Sequence, residues 1–141
     1  MITEDYVSFE TAKLLKEKGF GEKCRTYYKV FPESRIAAIY HSSENRGVSE
    51  DDPNEILCPT LQMAMKWLRE VHKLFIQIRI IPHTTITIEQ KYYLFTIHKD
   101  RRTLAFRKDF PIECYFTYEE ACEAAIKYCL ENLINKKEGN T

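Results

Sequence analysis

The run Leu74-Phe75-Ile76-Gln77-Ile78-Arg79-Ile80-Ile81 decides the fold. Ile76, Ile78 and Ile80 fall on one side of an extended chain, and Gln77 and Arg79 fall on the other, the period of two that marks a strand with one buried face. Tyr92 to His98 alternates in the same way, with Tyr93, Phe95 and Ile97 inward and Tyr92 and His98 outward. Between them, Thr84-Thr85-Ile86-Thr87-Ile88 has the β-branched composition that lengthens one arm of a hairpin. A third strand, Thr103 to Arg107, follows the polar tip Lys99-Asp100-Arg101-Arg102.

Helices bracket these strands. Thr60 is placed to cap a helix from Leu61 to Lys73, with Leu61, Ala64, Leu68 and Val71 as its buried stripe and Trp67 beside it. Thr117-Tyr118-Glu119-Glu120 is a capping box: the Thr117 hydroxyl serves the first turn, and Glu120 reaches back to the Thr117 amide. Ala121, Cys122, Ala125, Ile126, Cys129 and Leu133 then line the buried side of the last helix. Nearer the N-terminus, Ser8 caps a helix running to Lys18, with Phe9, Ala12 and Leu15 on one side. Gly19 supplies the left-handed residue that stops it, and Phe20 folds back on Leu15. Arg25 to Phe31 and Arg35 to His41, separated by Pro32-Glu33-Ser34, read as a hairpin.

Thr11-Ala12-Lys13-Leu14-Leu15-Lys16-Glu17 echoes Ala64-Met65-Lys66-Trp67-Leu68-Arg69-Glu70, and each of these helices leads into paired strands. The expected fold class is therefore α+β. A mainly antiparallel sheet of four or five strands carries three helices chiefly on one face, and the echo allows two α-β-β units plus a C-terminal helix. One domain is expected over 1–134, with 42–57 as an acidic flexible loop and 135–141 as a disordered tail. With Tyr92, Leu94 and Phe75 pointing to the outer face of the sheet, that face is expected to be partly open, which favours dimerisation.

The 141 residues suit one domain, and a hydrophobic share of 44% is enough to fill one core. With 21 basic and 21 acidic side chains the net charge is zero, so attraction to nucleic acid or an anionic membrane has to come from a local patch. Met1-Ile2-Thr3-Glu4-Asp5 is acidic with no apolar run behind it, and no stretch reaches the roughly 18 apolar residues of a membrane span, so a cytoplasmic protein is expected. Five cysteines, at 24, 58, 114, 122 and 129, show no metal-binding spacing and are expected to be buried, reduced thiols.

The chemistry-bearing residues do not form a recognisable constellation. His41, His72, His83 and His98 are scattered, the four glycines build no phosphate loop, and capping accounts for Glu119 and Glu120. No catalytic, cofactor-binding or metal-ligating residue is assigned and no cofactor is expected. An enzyme would need a site assembled from distant positions. Charge is the stronger signal. Residues 91–108 hold Lys91, Lys99, Arg101, Arg102, Arg107 and Lys108 against Asp100 alone, a net charge of +5. Lys99, Arg101, Arg102, Arg107 and Lys108, with Tyr92 as a stacking ring, are the candidate contacts to nucleic acid or a partner. The acidic stretch 44–56 is opposite in sign and offers a salt-sensitive contact to that hairpin, to a second copy or to another protein.

Two resemblances bear on this. The order helix, three strands, helix over 60–134 resembles the double-stranded RNA-binding domain in topology. That family sets lysines at the start of its last helix, where this chain has Glu119, Glu120 and Glu123, so RNA binding is not carried over. Ser8 to Phe20, Cys58-Pro59-Thr60, Trp67-Leu68-Arg69-Glu70 and Thr117-Tyr118-Glu119-Glu120-Ala121 together resemble small uncharacterised proteins of gut-bacterial prophages and mobile elements. That resemblance implies an accessory role and assigns no residue a function. The expected function is a non-enzymatic module that binds a protein partner or itself, with nucleic-acid binding through the hairpin 91–108 as the alternative.

Overall fold

The computed structural model describes residues 2–46, 52–85, 88–105 and 115–134. They form α1 (Phe9–Glu17), β1 (Cys24–Phe31), β2 (Ile36–Arg46), β3 (Glu55–Leu57), α2 (Leu61–His72), β4 (Leu74–Thr85), β5 (Ile88–Lys99), β6 (Arg102–Ala105) and α3 (Tyr118–Tyr128), which runs on into a π-type turn, Cys129–Leu133. The class is α+β, as the periodicities require. The strands, however, form two three-stranded antiparallel sheets, ordered β2-β1-β3 and β4-β5-β6, rather than one sheet of four or five. Alternation tells which face of a strand is buried. It does not tell which edge finds a partner, and here β3 takes the edge of β1 that β2 leaves free.

β3 lies inside the stretch expected to be a flexible acidic loop. Residues 42–46 continue β2, Glu55–Leu57 pair with β1, and Lys16 Nζ donates to the carbonyls of Pro53 and Glu55 at 3.3 and 3.4 Å. Residues 47–51 lie outside the described residues, as do 135–141. The two α-β-β halves also differ in their third strand. β3 adds to the first strand of its hairpin, whereas β6 adds to the second.

The caps are where the sequence puts them. Ser8, Thr60 and Thr117 accept from the amides of Thr11, Met63 and Glu120. Gly19 sits at φ 95°, and the amides of Gly19 and Phe20 return to the carbonyls of Lys16 and Leu15, closing α1 in a complete Schellman motif. α2 ends without a glycine: Lys73 takes φ 58° itself, a conformation that a non-glycine residue adopts at some cost. Glu120 accepts from the Phe116 amide at 3.3 Å, one residue before the one expected.

One core joins the helices to both sheets. Val7, Leu15, Leu68, Leu74, Ile97, Ile126 and Leu130 are almost wholly buried in it. Trp67 belongs to this core, edge-on to Phe20 at 5.4 Å, while Val71, expected in the stripe, is 53% exposed. α3 packs against α1, α2, β4 and β5. α1 and α3 run parallel, because Thr11 meets Glu123 near their starts, Glu10 meets Lys127, and Lys18 Nζ donates to the Ile134 carbonyl at their ends. Before α1, the chain is clipped to the start of α2 by Val7 N to Pro59 O and Leu61 N to Asp5 O.

Leu68→Ala empties a site with 0% exposure and is expected to lower stability by about 2–5 kcal/mol in urea titration. Val71→Ala, on the same helix but in solvent, should stay within about 0.5 kcal/mol of the parent.

Candidate functional site

The hairpin tip of β5 and β6 is built as the sequence indicates. Lys99 pairs with Arg102 across a two-residue turn, and Asp100 takes φ 56°, which the short polar side chain of aspartate tolerates. Below the tip, the His98 ring lies between two hydroxyls, with Nε2 3.1 Å from Thr96 Oγ1 and Nδ1 3.1 Å from Thr103 Oγ1. These two contacts fix the orientation of the ring on the outer face. Arg101 and Arg102 are exposed and Lys99 is half-buried. These three cations form one small basic surface. Arg107 and Lys108 lie outside the described residues.

Tyr92 does not join that surface. It sits seven residues from Lys99 along β5, roughly 23 Å at the rise of an extended strand. Its ring packs on Phe116 at 5.8 Å, where the chain returns beside β5 through the Tyr93–Tyr115 bridge. That return also bears on the expected open outer face. Leu94, placed there by alternation, is buried, whereas Phe75 is 45% exposed. The inner face is as expected, with Ile97 buried and Phe95 packed against the core, but it ends before Ile80, which is 57% exposed.

A second feature could not be read from the sequence. Asp5, Tyr6, Tyr28, Tyr115, Glu119, Glu120 and Glu123 line an open acidic cleft at the start of α3. Its central carboxylate is already engaged. Glu123 Oε1 accepts from the Ser8 amide at 3.0 Å and from the buried Thr11 hydroxyl at 2.6 Å, locking α3 to the cap of α1. The Tyr28 hydroxyl donates to the Val7 carbonyl at 3.0 Å, and burial pushes its pKa up. The contact between Thr11 and Glu123 spans 112 residues, and no local pattern announces it. The cleft is thus largely a structural joint between helices.

The described thiols are packed groups as well. Cys24, Cys58, Cys122 and Cys129 are buried and unbridged, and Cys114 lies outside the described residues. Burial pushes Cys24 and Cys122 up to about 11, and Cys58 and Cys129 up to about 12. Such thiols stay protonated and unreactive at neutral pH. Among the described residues no group of three or more His, Cys, Asp or Glu side chains is arranged to hold a metal ion. Nor, among them, is any helix long and apolar enough to cross a membrane.

The geometry therefore defines an α+β protein of two three-stranded sheets on a shared helical layer, with one small basic tip and exposed apolar side chains along its strands. No family model, curated protein or solved structure matches the chain.

Two outcomes follow from these contacts. Glu123→Ala removes the acceptor shared by the buried Thr11 hydroxyl and the Ser8 amide, leaving that hydroxyl only its contact with Ser8 Oγ, and is expected to cost about 1–3 kcal/mol in chemical denaturation, with Glu119→Ala near neutral. The thiols add a dependence on pH. Unfolded thiols ionise near 9.0 while the folded ones hold their protons to 11 or 12, so their contribution is complete below 9.0 and is lost as pH rises through that window. The melting temperature should accordingly fall between pH 8 and pH 10.5, and a thiol reagent should label these four cysteines only after urea is added.

Proposed function

We propose that the chain is a non-enzymatic binding module that associates with a protein partner or with itself. The observation that carries this reading is the set of large apolar side chains left in solvent on the strands, Ile39, Tyr40, Phe75, Ile80 and Leu104 among them, each between 40% and 57% exposed. A chain of zero net charge with such surfaces lacks the long-range repulsion that keeps copies apart. The accessory role that the sequence's resemblance to small prophage and mobile-element proteins implies is part of this proposal, and the protonated, unbridged thiols suit the reducing cytoplasm.

Nucleic-acid binding is the second reading, and Lys99, Arg101 and Arg102 at the hairpin tip favour it. Three cations make a small footprint, even with the His98 ring just below them and the exposed Phe75 opposite it, and the start of α3 faces solvent with carboxylates rather than lysines.

Electrophoretic mobility shift separates the two. The expected result is no shift of duplex or single-stranded DNA or RNA at low salt. A shift that disappears with salt and with Arg101→Glu/Arg102→Glu would overturn the binding-module reading in favour of nucleic acid.

A further inference from the structure

Four strand edges lie open to inspection among the described residues, and three of them are guarded. β3 is three residues long and is covered by α1, whose Lys16 donates to the carbonyls of Pro53 and Glu55. β6 is four residues long. β4 carries Arg79 and is interrupted by Pro82, which has no amide to offer a neighbour. β2 is different. Ile36-Ala37-Ala38-Ile39-Tyr40 is an edge segment with no charge, no proline and no glycine, and its Ile39 and Tyr40 are 42% and 40% exposed.

The hydrogen bonds of β1 tell which groups of β2 face outward. Val30 N donates to Asn54 O and Cys58 N donates to Thr26 O, so the even-numbered residues of β1 aim their backbone groups at β3. The odd-numbered residues aim theirs at β2, where Tyr27 and Lys29 meet Tyr40 and Ala38. Ala37, Ile39 and His41 are the alternate residues, and their amides and carbonyls point to the open edge.

We infer that this edge pairs with the same edge of a second copy, β2 against β2 antiparallel, about a two-fold axis through Ile39. This rests on the binding-module reading and names its partner. The segment is self-complementary about that residue. Ile39 then lies opposite Ile39 of the second copy and Ala37 opposite His41, so each outward-facing amide meets an outward-facing carbonyl, about six hydrogen bonds in all. On the other face Tyr40, already stacked on Tyr27 at 5.8 Å, lies beside the small side chain of Ala38 of the second copy, which leaves room for the ring. Ile39 leaves solvent on both sides of the axis. His41 is held in place for this pairing by Thr26 Oγ1, 2.9 Å from its Nδ1. The segment ends where it should: the register between β1 and β2 breaks between Cys24 and Thr26, so regular pairing stops at His41. The product is a continuous six-stranded sheet, β3-β1-β2-β2-β1-β3, with no unguarded edge left among the described strands.

Light scattering after size exclusion tests this on the full chain, and a cysteine variant fixes the register. The wild type should be a dimer. Ile39→Lys, which sets like charges against each other on the axis, should raise the dimer dissociation constant by about tenfold or more with an unchanged circular-dichroism spectrum. Ile39→Cys should cross-link to a covalent dimer with oxidised glutathione as oxidant. The two α-carbons of such a hydrogen-bonded pair stand roughly 5.5 Å apart, within the reach of a disulfide. Ile80→Cys, more exposed but on the other sheet, should not. A wild type that stays monomeric at the highest soluble concentration overturns the inference and leaves the binding of a different protein intact. A dimer that survives Ile39→Lys while Ile39→Cys fails to cross-link also overturns it, and leaves self-association through another surface.

Discussion

Everything else in this fold depends on the burial of α3. Ala121, Cys122, Ala125, Ile126, Cys129 and Leu130 have essentially no solvent exposure, and they meet α1, α2, β4 and β5 at once. Small residues at 121, 122, 125 and 129 let the neighbouring helices approach closely, while Ile126 and Leu130 fill the space between them. α3 gives the two halves of the chain a layer in common, because it packs on α1 and α2 as well as on β4 and β5. The Glu123 carboxylate then sets the orientation of the contact, because one oxygen satisfies both an amide at the cap of α1 and a buried hydroxyl.

This arrangement explains why exposure varies along the strands of both sheets. Wherever a strand runs beneath a helix, its inward residues are sealed, as at Cys24, Thr26, Leu74 and Ile97. Where strands overrun the helical layer, the same alternation continues without cover, and Ile39 and Ile80 are left in water. Overrun is the physical origin of the exposure at Ile39 and Ile80, whereas Tyr40 and Phe75 are exposed on the opposite faces of their sheets. The basic tip has a different origin. It is a tight turn whose cations project from a strand end, and it extends no further than Lys99, Arg101 and Arg102 among the described residues.

The titratable groups tell a consistent story of structural use. Glu120 serves the α3 cap, Glu123 serves α1, His98 is held by two threonine hydroxyls, and the four described cysteines are packed as small apolar side chains. Each has an assignment that the fold itself requires. A carboxylate already accepting two hydrogen bonds, or a thiol pushed up to about 12, is poorly suited to move protons or attack an electrophile at neutral pH.

What the sequence settled by itself is everything governed by neighbours a few residues apart. The helix caps at Ser8, Thr60 and Thr117, the stop at Gly19, the alternation of β4 and β5 and the turn at Asp100 all follow from local backbone and side-chain chemistry. The basic tip was legible for the same reason, since its charges are contiguous. The tertiary structure decided what depends on distant segments meeting. It split the strands into two sheets and drew Glu55–Leu57 into one of them. It buried Trp67 while exposing Val71, and it separated Tyr92 from the basic tip with which it had been grouped. Edge pairing and burial are set by whichever surfaces compete best for the shared core, and that competition is between parts of the chain too far apart for any local pattern to record.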